Sequence, residues 1–114
     1  MIDDVTSVAL HAALRGLSAR SRAISDNVAN IQTPGFLAGR VAFEESLRDA
    51  LASGATPDVE PTIARSLEPT REDGNNVNLD TETISGIDTG LRYQLALRSV
   101  DDRFALLGTA IKGA

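Results

Sequence analysis

Large apolar residues recur at alternating intervals of four and three at both ends of this 114-residue chain, and that period commits both ends to helices. In the first segment they fall at Leu10, Leu14, Leu17, Ile24, Val28 and Ile31, with Ser21 filling the gap. In the last they fall at Tyr93, Leu97, Val100, Phe104, Leu107 and Ile111. A strand, which alternates by two, has no use for such a pattern. Beside the first seam runs a stripe of mostly small residues, Ile2, Val5, Ala9, Ala12, Gly16, Ala19 and Ala23, while Arg15, Ser18, Arg22 and Ser25 line a polar face. The spacing predicts one amphipathic helix over residues 4–31. Gly16 costs about 1 kcal/mol of helix propensity, so its presence reads either as a tight contact at that position or as a small residue tolerated mid-helix.

Between the seams the chain changes character. Thr33-Pro34-Gly35 ends the first helix: the residue before a proline is pushed from the α region, and Pro-Gly favours a type II turn with Gly35 at positive φ. Phe43, Leu47, Ala50 and Leu51 then predict a short helix over 43–52, with Gly54 as its stop. Residues 53–76 hold Pro57, Pro61 and Pro69 among Ser, Thr, Glu and Asp, and read as an extended, partly disordered connector. Asp73-Gly74-Asn75-Asn76 is turn chemistry. Asp80 is the expected N-cap of the last helix, with Leu79 and Ile84 as its hydrophobic staple; Gly86 and Gly90 weaken its first turns. The expected architecture is all-α. Long terminal helices pair as a hairpin or coiled coil, joined by a short helix and the acidic connector. One elongated unit divides into residues 1–36, 37–79 and 80–114.

Composition narrows the function. No Cys and a single His exclude thiol chemistry, disulfides and a His-based metal cluster. The net charge of −5 argues against a nucleic-acid partner, and the acids concentrate in the middle third. Apolar stretches broken by His11, Arg15 and Arg20 do not make a membrane span. The opening Met1-Ile2-Asp3-Asp4 is unlike a cleaved signal peptide. The chain is therefore expected to stay in the cytosol or to leave by a route that does not read one. His11 reads as a surface or boundary residue, and no nucleophile elbow or phosphate-binding glycine loop is present. The stretch Asp73 to Asp80 fails the calcium-loop order because Val77 takes a ligand position and Gly74 is misplaced. No cofactor, metal, small-molecule substrate or catalytic role is expected.

One run is specific. Asp26-Asn27-Val28-Ala29-Asn30-Ile31-Gln32-Thr33-Pro34-Gly35-Phe36 resembles the N-terminal signature of the flagellar axial proteins of rod and hook, matching it at Asn27, Ala29, Asn30, Thr33, Pro34, Gly35 and Phe36. Asp26 stands where Asn or Ala is usual. Asp73-Gly74-Asn75-Asn76-Val77-Asn78-Leu79-Asp80-Thr81-Glu82, followed by Leu91-Arg92-Tyr93-Gln94, resembles the proximal rod members in particular. The resemblance implies a structural subunit made in the cytoplasm and exported by the flagellar type III apparatus. Its terminal helices would pack with other rod subunits, homo- and hetero-oligomeric in a helical array, toward the membrane-ring and export-gate end of the periplasmic rod. In that setting the asparagines supply hydrogen bonds to the backbone where the first helix stops, and Phe36 anchors the turn in an apolar pocket. Simple helix C-capping is the other reading of Asn27 and Asn30. The rival for the whole chain is a cytosolic helical adaptor whose acidic connector binds a basic partner.

Overall fold

The computed structural model describes residues 4–111, apart from the side chains of 104, 106, 107 and 109–111. In chain order it contains α1 (Val5–Ala29), β1 (Gly39–Ala42), α2 (Glu44–Ser53), β2 (Thr62–Arg65) and α3 (Leu79–Ile111). The body measures 65 × 27 × 15 Å, a length set by the two terminal helices lying side by side. They run antiparallel. Asn27 meets Glu82, Ile24 lies against Gly86, and Asp4 pairs with Arg103, so positions climb one helix as they descend the other.

The α1 helix starts where the Asp4 carboxylate accepts the Ser7 N–H at 2.8 Å, filling one of the orphan donors of a helix start. Its two apolar stripes face different neighbours. Leu17, from the predicted seam, is buried in a core with Ala96 of α3, Val41 of β1 and Phe43, with Leu14, Leu47 and Val59 packed on the rim. On the small-residue stripe, Gly16 receives the ring of Phe43: a Cβ at Gly16 would lie under 3.0 Å from three of its carbons. Of the two readings of Gly16 the tight contact is the one that holds, and an aromatic ring makes it.

Three expectations need correction. The chain is not all-α, because β1 and β2 pair antiparallel with Val41 opposite Ile63. Four-residue strands more than twenty positions apart leave no periodicity to read; only the non-local pairing defines them. The connector is likewise more ordered than its composition suggests. Part of it is β2, and two of its acids are engaged: Asp58 and Glu60 both pair with Arg15. Finally, the cap of α3 is Asn78, whose Oδ1 accepts the N–H groups of Asp80 (2.9 Å) and Thr81 (3.2 Å). Leu79 and Ile84 are both exposed and form no staple.

The seam on α3 also departs from expectation. The buried positions facing inward are Glu82, Thr89 and Ala96, a heptad repeat of polar and small residues. Tyr93 and Leu97 stay exposed, and Val28 of α1 is exposed as well. Leu10, Ile24, Ile31 and Val100 are half-buried. Phe104, Leu107 and Ile111 lie outside the described side chains. The physical reason is that α1 already presents large residues; α3 meets them with small ones and leaves its own large side chains at the margin.

The short α2 helix is placed as predicted, with Glu44 and Glu45 at its positive end and Gly54 at φ 77° stopping it. Arg20 grips the Glu44 carboxylate through both nitrogens (2.5 and 2.7 Å), donates to the Val41 carbonyl (2.8 Å) and lies over the Phe43 ring. The hydrogen bond from Arg20 holds the Glu44 carboxyl below its ordinary value, and the same bond raises Arg20. A lowered acid stabilises the fold above the unfolded carboxylate range and loses that contribution as pH falls through the folded value. Acid titration followed by circular dichroism is therefore expected to show Glu44→Gln losing part of the parent's stability drop below that range. An unchanged acid profile would show that this bond contributes nothing.

Candidate functional site

The two stretches singled out in the sequence, 26–36 and 73–82, meet at one end of the helix pair. On the first, Asn30 caps α1 by donating from Nδ2 to the Asp26 carbonyl (2.8 Å), and Thr33 Oγ1 donates to Asn30 Oδ1 (3.1 Å). The Phe36 N–H returns to the Thr33 carbonyl (3.2 Å) and Gly35 takes φ 76°, the type II arrangement expected of Pro34-Gly35. Ala29 closes the helix on its exposed side. Phe36 is half-buried, and the Arg65 guanidinium carbon sits 5.2 Å from its ring centroid. A cation covers the ring where an apolar pocket was expected.

Asn27 is not a cap. It is fully buried at 0% exposure, and its amide pairs with the backbone of Gly39 as a strand would: Nδ2 donates to the Gly39 carbonyl (3.1 Å) while Oδ1 accepts the Gly39 N–H (2.8 Å). The same Nδ2 donates to Glu82 Oε1 at 2.8 Å. Glu82, also at 0% exposure, takes a second bond on Oε2 from Arg40 Nη1 at 2.8 Å. A buried carboxylate is tolerated only when paired in this way. One side chain thus joins α1, β1 and α3.

The second stretch completes the junction. Asn75 Nδ2 donates to the carbonyls of Asn30 (2.8 Å) and Thr33 (2.9 Å), and its Oδ1 accepts the Val77 N–H (2.7 Å). Asn76 Oδ1 accepts the Ala38 N–H (2.7 Å), and its Nδ2 reaches the carbonyls of Ser66 and Glu68 (both 3.1 Å). Arg71 spans the carbonyls of Ile31 and Val77, both at 2.6 Å. Gly35 N–H donates to the Asp73 carbonyl (2.8 Å), and Gly74, at φ 81°, packs so close that a Cβ would lie 3.3 Å from Gly35 Cα. The orphan carbonyls at the end of α1 are therefore satisfied by side chains from the far half of the sequence. Among the described residues no cluster of His, Cys, Asp or Glu is placed to hold a metal. No described helix is long and apolar enough to cross a membrane. What the arrangement can do is hold the terminal helices at one angle.

Of the singled-out motif residues, the structure brings Asn27, Asn30, Thr33 and Gly35 into this junction. Gly39, Arg40 and Arg71 carried no signal in the sequence, because their partners are known only once the chain is folded. Asn75, Asn76 and Glu82 were visible as part of a motif, but their bonds were not.

No protein-family model matches the chain. Among curated proteins it is similar to the flagellar basal body rod protein FlgB of Aeromonas hydrophila, 29% identical over 116 residues, 89% of this chain and 88% of that one. The FlgB of Yersinia enterocolitica is 30% identical over 82% of this chain and 79% of its own length. That of Borreliella burgdorferi is 30% identical over 75% of this chain and 79% of its own. With this similarity spanning both halves of the junction, the chain belongs to the FlgB family of flagellar basal body rod proteins.

Proposed function

We propose that the chain is a structural subunit of the flagellar proximal rod, exported by the type III apparatus without a cleaved signal and assembling through its terminal helices. Its neighbours are further copies and other rod subunits in a helical array, toward the membrane-ring and export-gate end. One observation carries this reading. Ile84, Ile87, Leu91 and Leu95 lie in a single stripe of α3, each 62 to 69% exposed. At 100° per residue that stripe is half a turn away from the buried Glu82, Thr89 and Ala96. Four such side chains contribute about 1.5–3 kcal/mol each when a neighbour covers them. A contact between unlike surfaces that does not close on itself propagates as a helical array. The assembly motif around Asn27, Asn30 and Pro34 then serves to present the stripe at a fixed angle. The adaptor reading is weaker, because Asp58 and Glu60 of its connector already face Arg15.

Mass spectrometry of purified hook–basal bodies tests the reading. The chain is expected in the parent particle, with no rod beyond the membrane ring in a strain lacking the gene; intact basal bodies in that strain would refute it. Leu91→Asp is expected to leave the far-ultraviolet circular dichroism of the purified subunit unchanged, since the side chain is exposed, yet to keep the exported subunit out of the rod and abolish swimming. Normal swimming would show that the stripe is not an assembly surface.

A further inference from the structure

The small sheet has two outer edges, and the chain treats them differently. Ser66 N–H donates to the Ala38 carbonyl at 2.8 Å. With the register Arg40 to Ala64 and Ala42 to Thr62, those pairs exchange the ladder bonds. The backbone groups of Gly39 and Val41 on one strand, and of Ile63 and Arg65 on the other, point outward. On β1 three of the four outward groups are covered: Asn27 takes both those of Gly39, and Arg20 takes the Val41 carbonyl. On β2 the outward N–H and carbonyl groups of Ile63 and Arg65 have no partner among the described residues. All four β2 residues are exposed; Ile63 is 61% exposed, and Leu67 just beyond it is 93% exposed. An open edge with uncovered apolar side chains is a template for an added strand.

We propose that the β2 edge docks an extended segment of a different polypeptide, apolar at its centre and basic at both ends. The charges on either side of the strand choose that occupant. Glu60 and Glu68 flank β2 and both are exposed; Glu60 touches Arg15 only at 3.8 Å and its side chain stays 78% exposed, so its charge still faces solvent beside the edge. If two copies of this chain paired β2 to β2 about Ala64, each Glu60 would stand opposite the Glu68 of the other copy, and like charges directly opposed destabilise a sheet. A foreign segment with Lys or Arg at its ends meets both acids with opposite charge, while its central residues cover Ile63 and Leu67. Pro61 and Pro69 bracket the site, so the segment is short. This surface goes beyond the rod reading and stands or falls without it.

The test uses the whole chain, labelled with ¹⁵N, and two blocked peptides: Lys-Thr-Val-Thr-Val-Thr-Lys and its analogue with Glu at both ends. The basic-ended peptide is expected to shift the amide resonances of Ile63 and Arg65 and to bind about tenfold more tightly than the acidic-ended one. In the double variant Glu60→Lys with Glu68→Lys, which changes two exposed side chains and gives up only the 3.8 Å contact of Glu60 with Arg15, the preference is expected to reverse. The proposal is overturned if the basic-ended peptide does not bind, if it shifts amides of α3 in place of β2, or if the preference survives the charge reversal.

Discussion

Asn27→Ala is expected to lower the unfolding free energy by about 3–5 kcal/mol in urea titrations, because it strands three buried groups at once. The N–H and carbonyl of Gly39 lose their partners, and Glu82 loses one of the two donors that hold it at 0% exposure. A domain of ordinary stability has only about 5–15 kcal/mol to lose. Asn27→Asp separates the causes. It preserves the shape and still accepts from Gly39, but replaces the amide donor with a charge beside the Glu82 carboxylate. A cost as large as that of the alanine variant identifies Nδ2, the donor shared by Glu82 and the Gly39 carbonyl, as the decisive group; a negligible cost for both variants would remove Asn27 from the role assigned to it.

Gly16→Ala is expected to destabilise by about 2–3 kcal/mol, although alanine is the better helix former by about 1 kcal/mol. The added methyl would fall on the ring of Phe43, which is itself buried against Leu17 and Val41 and has no free direction to move. A double-mutant cycle isolates that clash. In a Phe43→Ala background the same Gly16→Ala change is expected to turn neutral or stabilising, as propensity alone dictates. A penalty that persists without the ring would place the constraint elsewhere on α1.

These two residues also mark how far the sequence could be read. Gly16 was legible as an anomaly, a poor helix former in the middle of a periodic segment, yet nothing local named Phe43 as its partner. Asn27 was legible as part of a motif, and helix capping was a sound alternative for it. Its neighbour Asn30 does cap, whereas Asn27 pairs with Gly39 and Glu82. A side-chain amide offers the same donor and acceptor to either role, so only the position of β1 distinguishes them. The apolar stripe Ile84, Ile87, Leu91 and Leu95 has no distinguishing signal, because Tyr93 and Leu97 belong to a cleaner heptad on the same helix. Both stripes are helical, and periodicity alone does not show that the face buried against α1 is instead that of Glu82, Thr89 and Ala96.

The sequence by itself determined the two long terminal helices, the short helix between them, the Pro34-Gly35 turn and the family resemblance. All of these rest on period, capping and backbone preference acting within a few residues. Only the tertiary structure decided the β1–β2 pairing, the Asn78 cap, the engagement of the acidic connector by Arg15, and the junction that ties Asn27 to Glu82 and Arg71 to Ile31. Most of those contacts join residues 20 to 55 positions apart, where a hydrogen-bonding side chain has many possible partners and the folded backbone selects one. Asn78 fails for a different reason: Asn78 and Asp80 are both good caps two residues apart, and the helix start is settled by where Val77 and Glu82 are buried.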